Sequence, residues 1–239
     1  VAEILTGGRL MKILVTGGCG FIGHHLVEHL IKKTDWEVVV VDKLTYASNG
    51  YDRLRDINCF DDKRIKIFSA DLMDLKISPG LHKEIGHIDY IAHLAAETHV
   101  DNSIENPYIF LETNVIGTYA VLEYAKQLSM LRMMNYFSTD EVHGPALNGI
   151  KHKETDACYS KNPYAASKAG AEQLCMAYQN CYSVPVFITR CHDEKTNILT
   201  KDGVKNINDV NVGDLVWTLK DNKKLKLEPI QEIFIKKDY

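Results

Sequence analysis

The sequence predicts an α/β fold: a doubly wound parallel sheet followed by a small all-β piece. Three observations carry this. From Met11 onward, short β-branched runs alternate with longer amphipathic stretches, the pattern of a parallel sheet covered by helices. The glycines of Thr16-Gly17-Gly18-Cys19-Gly20-Phe21-Ile22-Gly23 join the first of these runs to the first helix. After Arg190 the helical period disappears, and short apolar runs are separated by Asp202-Gly203, Gly213-Asp214 and Asp221-Asn222.

Candidate strands are Lys12–Val15, Glu37–Val41, Ile65–Phe68, Tyr90–Leu94, Met133–Ser138 and Val184–Thr189. Helices are expected at Phe21–Lys33, Tyr108–Leu128 and Tyr164–Tyr182, with shorter pieces near Tyr51–Asn58 and Leu81–Ile85. Strands and helices in that rhythm fill a Rossmann-type sheet. Beyond Arg190 the expected strands are Asn197–Leu199, Leu215–Thr218 and Ile230–Ile235. Composition changes at the same point, because no arginine follows Arg190 and the later basic residues are all lysines. The chain therefore divides into an N-terminal extension (1–10) with no assigned role, a dinucleotide-binding domain (11–190) and a distinct C-terminal piece (191–239).

Composition is that of an ordinary globular chain, 45% hydrophobic and 25% charged. A net charge of -4 offers no basic stripe for nucleic acid, and no apolar run is long enough to span a bilayer. The cysteines form no CxxC pair and nothing at the start reads as a signal peptide, so a cytoplasmic setting is expected.

The glycine-rich stretch reads as a cofactor cradle. Gly17 makes the tight turn, Gly20 lets backbone approach a pyrophosphate, and Gly23 lets helix pack on sheet. Phe21 and Ile22 open the helix, whose free N–H groups face the anion. Asp42 ends the second strand 19 residues after Gly23, where its carboxylate can accept both ribose hydroxyls and would repel a 2′-phosphate. NAD is thus favoured over NADP, although Lys43 beside it softens the preference. Asp71-Leu72, after the third strand, suits the adenine edge; the alternative is a solvated loop aspartate.

Tyr164 and Lys168 form YxxxK at the start of a helix, so they share one face. An ammonium beside a phenol lets the phenol act as a base toward a sugar hydroxyl. Ser138-Thr139-Asp140-Glu141 follows an apolar strand and places a hydroxyl and two acids at a strand's C-terminal end, where open α/β sheets bind ligands. His93 and His99 lack a matching ligand spacing, and structural roles are expected for both, with no metal.

Five segments in order resemble the extended short-chain dehydrogenases. They are Thr16–Gly23, Asp42-Lys43-Leu44-Thr45-Tyr46-Ala47, His93-Leu94-Ala95-Ala96-Glu97-Thr98-His99-Val100-Asp101, Ser138-Thr139-Asp140-Glu141-Val142-His143-Gly144 and Tyr164-Ala165-Ala166-Ser167-Lys168. Within that superfamily the chain is most similar to the 4,6-dehydratases of dTDP-glucose or UDP-glucose, over about Lys12 to Arg190. Epimerases and decarboxylases of the superfamily usually lack the Asp-Glu pair, so Asp140 and Glu141 carry the choice of reaction. The resemblance implies that Tyr164 takes the C4 hydroxyl proton as hydride passes to NAD. Glu141 then removes the C5 proton while Asp140 protonates the departing C6 hydroxyl, and hydride returns to C6 to give a 4-keto-6-deoxy sugar. It further implies that Thr139 holds the C4 hydroxyl, that Thr98 contacts substrate, and that Thr45, Leu94, Ala95, Ala96 and Thr113 line the cofactor. A homodimer is implied for the complete enzyme. His143 stands where the family has a tyrosine.

The resemblance stops at Cys191, where the family would continue into a domain gripping the nucleotide-sugar. Instead Cys191-His192-Asp193-Glu194, the Asp202-Gly203 turn and Val212-Gly213-Asp214-Leu215-Val216 resemble the start of an intein. That likeness makes Cys191 the splicing nucleophile and implies a partner fragment carrying the rest of the intein and the C-terminal part of the dehydratase. A divergent substrate domain, a frame-shifted tail and a non-catalytic half-protein are the alternatives.

Overall fold

The computed structural model describes residues 9–145, 152–190, 197–206, 209–220 and 224–230. The chain divides into two compact units, Val1–Arg190 and Cys191–Tyr239.

The first unit holds β1 (Lys12–Thr16), β2 (Glu37–Asp42), β3 (Ile65–Ser69), β4 (Tyr90–His93), β5 (Met133–Phe137) and β6 (Val186–Thr189), all parallel, in the order β3-β2-β1-β4-β5-β6. Burial on both faces explains why β2 is a run of valines bounded by acids. Leu14 lies between Val39 and Ile91 in register, and Val15 between Val40 and Ala92. The strand period then sends Leu14, Val39, Val41, Ile91, Met134 and Tyr136 to one face and Ile13, Val15, Val38, Val40 and Ala92 to the other. The first face is covered by α3 (Asp74–Ile77), α4 (Pro79–Ile85), α7 (Gly117–Gln127) and α8 (Pro163–Tyr182), the second by α1 (Phe21–Lys33) and α2 (Asp52–Asp56). Each fully buried valine of β2 contributes about 1.5–3 kcal/mol, so the sheet's centre is its most tightly fixed part. The strand order reverses between β1 and β4, which opens a crevice at their C-terminal ends.

Arg9 belongs to this unit as an ordered lead-in. Its guanidinium donates to Asp89 Oδ1 at 2.6 Å, while Oδ2 of the same fully buried carboxylate accepts from Lys12 N at 2.9 Å. Residues 1–8 lie outside the described residues.

One expected helix is corrected here. The helix expected at Tyr108–Leu128 is α6 (Pro107–Phe110), a π turn (Leu111–Ile116) and then α7. The wide turn falls where Asn114, buried in the fold, is tied to the main chain of Glu97 through both ends of its amide, at 2.8 and 3.0 Å. Hydrophobic period records none of this. The short α3, α5 (Val100–Glu105) and the 3-10 turn Asp140–His143 were not anticipated either, being too brief to establish a period.

The second unit is an antiparallel sheet of β7 (Asn197–Thr200), β8 (Gly203–Asn206), β9 (Leu215–Lys220) and β10 (Lys224–Pro229), ordered β10-β9-β7-β8. Its last described strand is Lys224–Pro229 rather than the expected Ile230–Ile235, of which residues 231–235 lie outside the described residues. Lys224-Leu225-Lys226-Leu227-Glu228 alternates with period two, the mark of a half-buried strand, and the denser apolar run after it masked that signal. Among the described residues no helix is long and apolar enough to cross a membrane.

Candidate active site

The turn from β1 into α1 is shaped by its glycines. Gly17 has φ +71°, and a Cβ there would come within 2.7 Å of Ala95 Cα, so the turn rests directly on the loop after β4. A Cβ on Gly23 would overlap Gly17 O. Gly20 is the N-cap of α1 and offers no side chain, while Phe21 and Ile22 are 55% and 58% exposed at the helix start. The first turn of α1 thus presents main-chain N–H groups, the arrangement that receives a phosphate.

Asp42 closes β2 against this turn. Its Oδ2 accepts from Cys19 N at 2.9 Å and its Oδ1 from Leu44 N at 2.8 Å, and each oxygen keeps a further lone pair for a ligand. Lys43 and Asp71, read separately from sequence, form an ion pair at 2.7 Å. Burial pushes the Asp71 carboxyl up, but the Lys43 ammonium and the Met73 N–H outweigh it and hold it below its ordinary range. Leu72 is buried, and its Cδ1 fills the space a Cβ on Gly117 would need, so its side chain belongs to the core. On the other side of the crevice Leu94, Ala95 and Ala96 follow β4, with Leu94 N donating to Thr16 O at 3.2 Å and Ala95 N to Thr16 Oγ1 at 3.3 Å. Thr113 is half-buried in the π turn, whereas Thr45 and Thr98 are exposed. His99, next to Thr98, sits at φ 77° and ψ 121°, a strained conformation for a residue with a Cβ.

The second cluster gathers at the end of β5. Thr139 caps the 3-10 turn: its Oγ1 accepts from Glu141 N at 3.2 Å and donates to Asp140 Oδ1 at 3.3 Å. Asp140 and Glu141 are exposed, Thr139 buried. Across from them α8 begins with Asn162 as N-cap and Pro163 at N1. Tyr164 is half-buried, its ring edge-on to Phe110 at 6.2 Å. Lys168, one turn later and 3% exposed, donates from Nζ to Phe137 O at 2.5 Å and lies 4.4 Å from the Tyr136 ring centroid. Both halves of the expected constellation therefore meet at the C-terminal end of β5.

Two asparagines absent from the sequence reading complete the cluster. Asn162 accepts from Ala165 N at 2.7 Å and donates to Glu141 Oε2 at 3.0 Å. Asn114 donates to Ser167 Oγ at 2.9 Å, and Ser167 donates to Tyr164 O at 2.7 Å. The Asn-Pro pair before YxxxK is a capping signal that could have revealed the first. Nothing in the local pattern points to the second.

His93 is structural. Thr118 spends its proton on Asn114 O at 2.6 Å, so His93 Nε2–H donates to Thr118 Oγ1 at 3.0 Å and Nδ1 accepts from Thr16 Oγ1 at 2.6 Å. Burial, aided by the Lys168 ammonium, pushes the ring's pKa down to about 3. Among the described residues no group of three or more His, Cys, Asp or Glu is placed to hold a metal ion. His143 accepts from the Arg190 guanidinium at 2.8 Å and stacks on His152 with ring centroids 5.0 Å apart. Burial, with the Asp42 carboxylate adding to it, pushes the Cys19 thiol up to about 12, so this cysteine of the cradle is no nucleophile. Cys191 lies outside the described residues.

The GDP-mannose 4,6 dehydratase family model matches residues 14–213. The chain belongs to that family. It is 40% identical over 198 residues to the dTDP-glucose 4,6-dehydratase of Escherichia coli, covering 76% of this chain and 54% of that protein. It is 42% identical over 189 residues to a trifunctional UDP-glucose 4,6-dehydratase/UDP-4-keto-6-deoxy-D-glucose 3,5-epimerase/UDP-4-keto-L-rhamnose-reductase of Arabidopsis thaliana, covering 75% of this chain and 27% of that protein. The fold superposes on DesIV, a dTDP-glucose 4,6-dehydratase from Streptomyces venezuelae solved with NAD bound, with a TM-score of 0.67 and 39% identity over 76% of this chain and 55% of that one. The chain spans about half the length of the first curated relatives it matches, at 54% of the Escherichia coli protein. The family match runs past Arg190 into the second unit.

Proposed function

We propose that this chain is the cofactor-binding and catalytic portion of a nucleotide-sugar 4,6-dehydratase acting on dTDP-glucose or UDP-glucose. The observation that carries the proposal is the meeting of Thr139, Asp140 and Glu141 with Tyr164 and Lys168 at the end of β5, beside a glycine cradle. The residues present fit NAD: Gly17 and Gly23 leave no room for a Cβ, and Asp42 closes β2 with lone pairs to spare. Gly17, Gly20, Phe21, Ile22, Gly23, Asp42, Lys43, Thr45, Asp71, Leu72, Leu94, Ala95, Ala96 and Thr113 would hold it, Leu72 through its main chain. When bound, NAD supplies a hydride acceptor for C4 and returns the hydride to C6, so the elimination is redox-neutral.

The chain's own residues divide the proton work. Tyr164, with Lys168 one turn along the same helix, takes the proton of the C4 hydroxyl, and Thr139 holds that hydroxyl. The C5 proton, now α to a carbonyl, passes to Glu141 as the C5–C6 double bond forms and the C6 hydroxyl leaves with a proton from Asp140. Different donors serve the two acids, Thr139 for Asp140 and Asn162 for Glu141, which suits two carboxyl groups with opposite tasks. Thr98 is the proposed substrate contact. Exposed Tyr108, Leu111 and Ile116 on one helical face support association of the complete enzyme as a homodimer. A cytoplasmic setting is part of the same reading.

For the second unit we propose the N-terminal part of an intein. It is supported by the change from the parallel strands that run up to β6 to antiparallel strands after Arg190. The Cys191 thiol would attack the Arg190 carbonyl, forming a thioester as the peptide nitrogen leaves as an amine. The family match past Arg190 favours the other reading, a divergent continuation of the dehydratase.

Three measurements test these proposals. The stretch given, about half the length of its first curated relatives, is expected on its own to bind NAD yet turn over poorly, because an active-site cleft open to water loses the benefit of desolvation. In the complete enzyme, Glu141→Gln should permit oxidation at C4 and stall elimination; normal product formation in that variant would favour an epimerase or decarboxylase. With a complementary fragment, Cys191→Ala should abolish ligation of residues up to Arg190, and retention of residues beyond Cys191 in the working enzyme, seen by mass spectrometry, would exclude splicing.

A further inference from the structure

We infer that Asn162 is a positioning residue, which fixes the Glu141 carboxylate relative to Tyr164 through the N-terminus of α8. The inference rests on the proposed role of Glu141 in removing the C5 proton.

Capping a helix needs only an oxygen, and Ser, Thr or Asp supplies one as well as Asn does. Asn162 uses its Oδ1 for that purpose, on Ala165 N at 2.7 Å. Its amide nitrogen does something no cap requires, donating to Glu141 Oε2 at 3.0 Å. Among the described residues this is the only side-chain hydrogen bond to the Glu141 carboxylate, which otherwise projects on a flexible stem from an exposed turn.

The chemistry explains why such a tether matters. The two proton-removing groups act on substituents of adjacent carbons of one sugar ring, so their spacing must be held within a fraction of an ångström. Asn162 stands two positions before Tyr164, with the rigid Pro163 at N1 and Tyr164 in the first helical turn. Its hydrogen bond therefore ties Glu141 to the segment that sets the position of Tyr164. Asp140 takes a different donor, Thr139 Oγ1 at 3.3 Å, so the neighbouring carboxyl groups are directed separately.

The test compares Asn162→Ser and Asn162→Asp in the complete enzyme. Both variants keep an oxygen for the cap; Ser is too short to reach Glu141, and Asp presents a like charge to it. If Asn162 were only a cap, both variants would behave as wild type. The positioning role predicts an unchanged thermal midpoint and NAD affinity, an unchanged KM, and a kcat lower by on the order of 10²-fold, with Asp worse than Ser. Loss of the C5 hydrogen to solvent should slow while oxidation at C4 does not, and crystal structures of the variants should show the Glu141 carboxylate displaced. Wild-type kcat in both variants, or a loss of kcat that only follows a loss of helix stability, overturns the inference. Glu141→Gln is measured alongside: if it is fully active the catalytic reading fails and this inference with it, whereas an inactive Glu141→Gln with active Asn162 variants refutes the positioning role alone.

Discussion

Acid should destabilise the first unit through His93 in a way that can be isolated. The ring is 1% exposed and its pKa is pushed down to about 3, against an ordinary value of 6.5. A depressed pKa means that the unfolded chain binds a proton the folded one refuses. The stabilisation is therefore complete above pH 6.5 and is lost as pH falls from 6.5 toward 3. The full span corresponds to at most about 5 kcal/mol, and the part between pH 6.5 and 5 to about 2 kcal/mol. Gln at this position keeps one donor for Thr118 and one acceptor for Thr16 but has no proton to gain. Urea unfolding at pH 7 and pH 5, followed by Trp36 emission in a Trp217→Phe background, should show wild type losing about 2 kcal/mol more than His93→Gln. Equal losses would refute the account of His93 as a neutral, twice-bonded ring.

Three further outcomes follow from the same geometry. Gly23→Ala should lower NAD affinity by at least about tenfold, measured by calorimetry, because its Cβ would overlap Gly17 O and force the cradle open. Arg190→Ala should cost about 3–5 kcal/mol in equilibrium unfolding, since it strands the fully buried Glu172 carboxylate that the guanidinium binds at 2.9 and 2.6 Å. In the complete enzyme, Tyr164→Phe should block oxidation at C4, so that no reduced cofactor is seen by absorbance after mixing with substrate.

The sheet was legible because burial on both faces imposes a plain code. Glu37-Val38-Val39-Val40-Val41-Asp42 has no reading other than a central parallel strand, and β1, β3, β4 and β5 lie within a residue of their expected ends. The Gly17 turn and the placement of Thr139, Tyr164 and Lys168 were legible for a related reason: each is fixed by backbone geometry within a few residues. What escaped was set by distant partners. Asn114 acquires its place only when Glu97 and Ser167 arrive from other elements, and the π turn around it leaves no trace in hydrophobic period. Lys43 and Asp71 were each weighed alone as cofactor contacts, although the fold pairs them. In the second unit, β8 carries a single apolar residue, Val204, so only the Asp202-Gly203 turn before it marks its pairing with β7 in the sequence.

The site owes its coherence to one helix. Along α8 and its cap, the residues assigned chemistry alternate with residues that anchor the helix. Asn162 bonds Glu141, Lys168 bonds the end of β5, Ser167 receives Asn114, and Glu172 holds Arg190 at the end of β6. Arg190 in turn bonds His143, the last residue of the turn that carries Asp140 and Glu141. A closed circuit results, from the acid pair through α8 to β6 and back to the acid pair. A helix held at four points along its length cannot slide relative to β5 without breaking several bonds at once, three of them partly or fully buried and worth about 1 kcal/mol each. Tyr164 is therefore held by bonds that stabilise the fold, whereas the Glu141 carboxylate is tied to it through the exposed Asn162 bond, so an Asn162 variant should loosen the spacing and leave the helix in place.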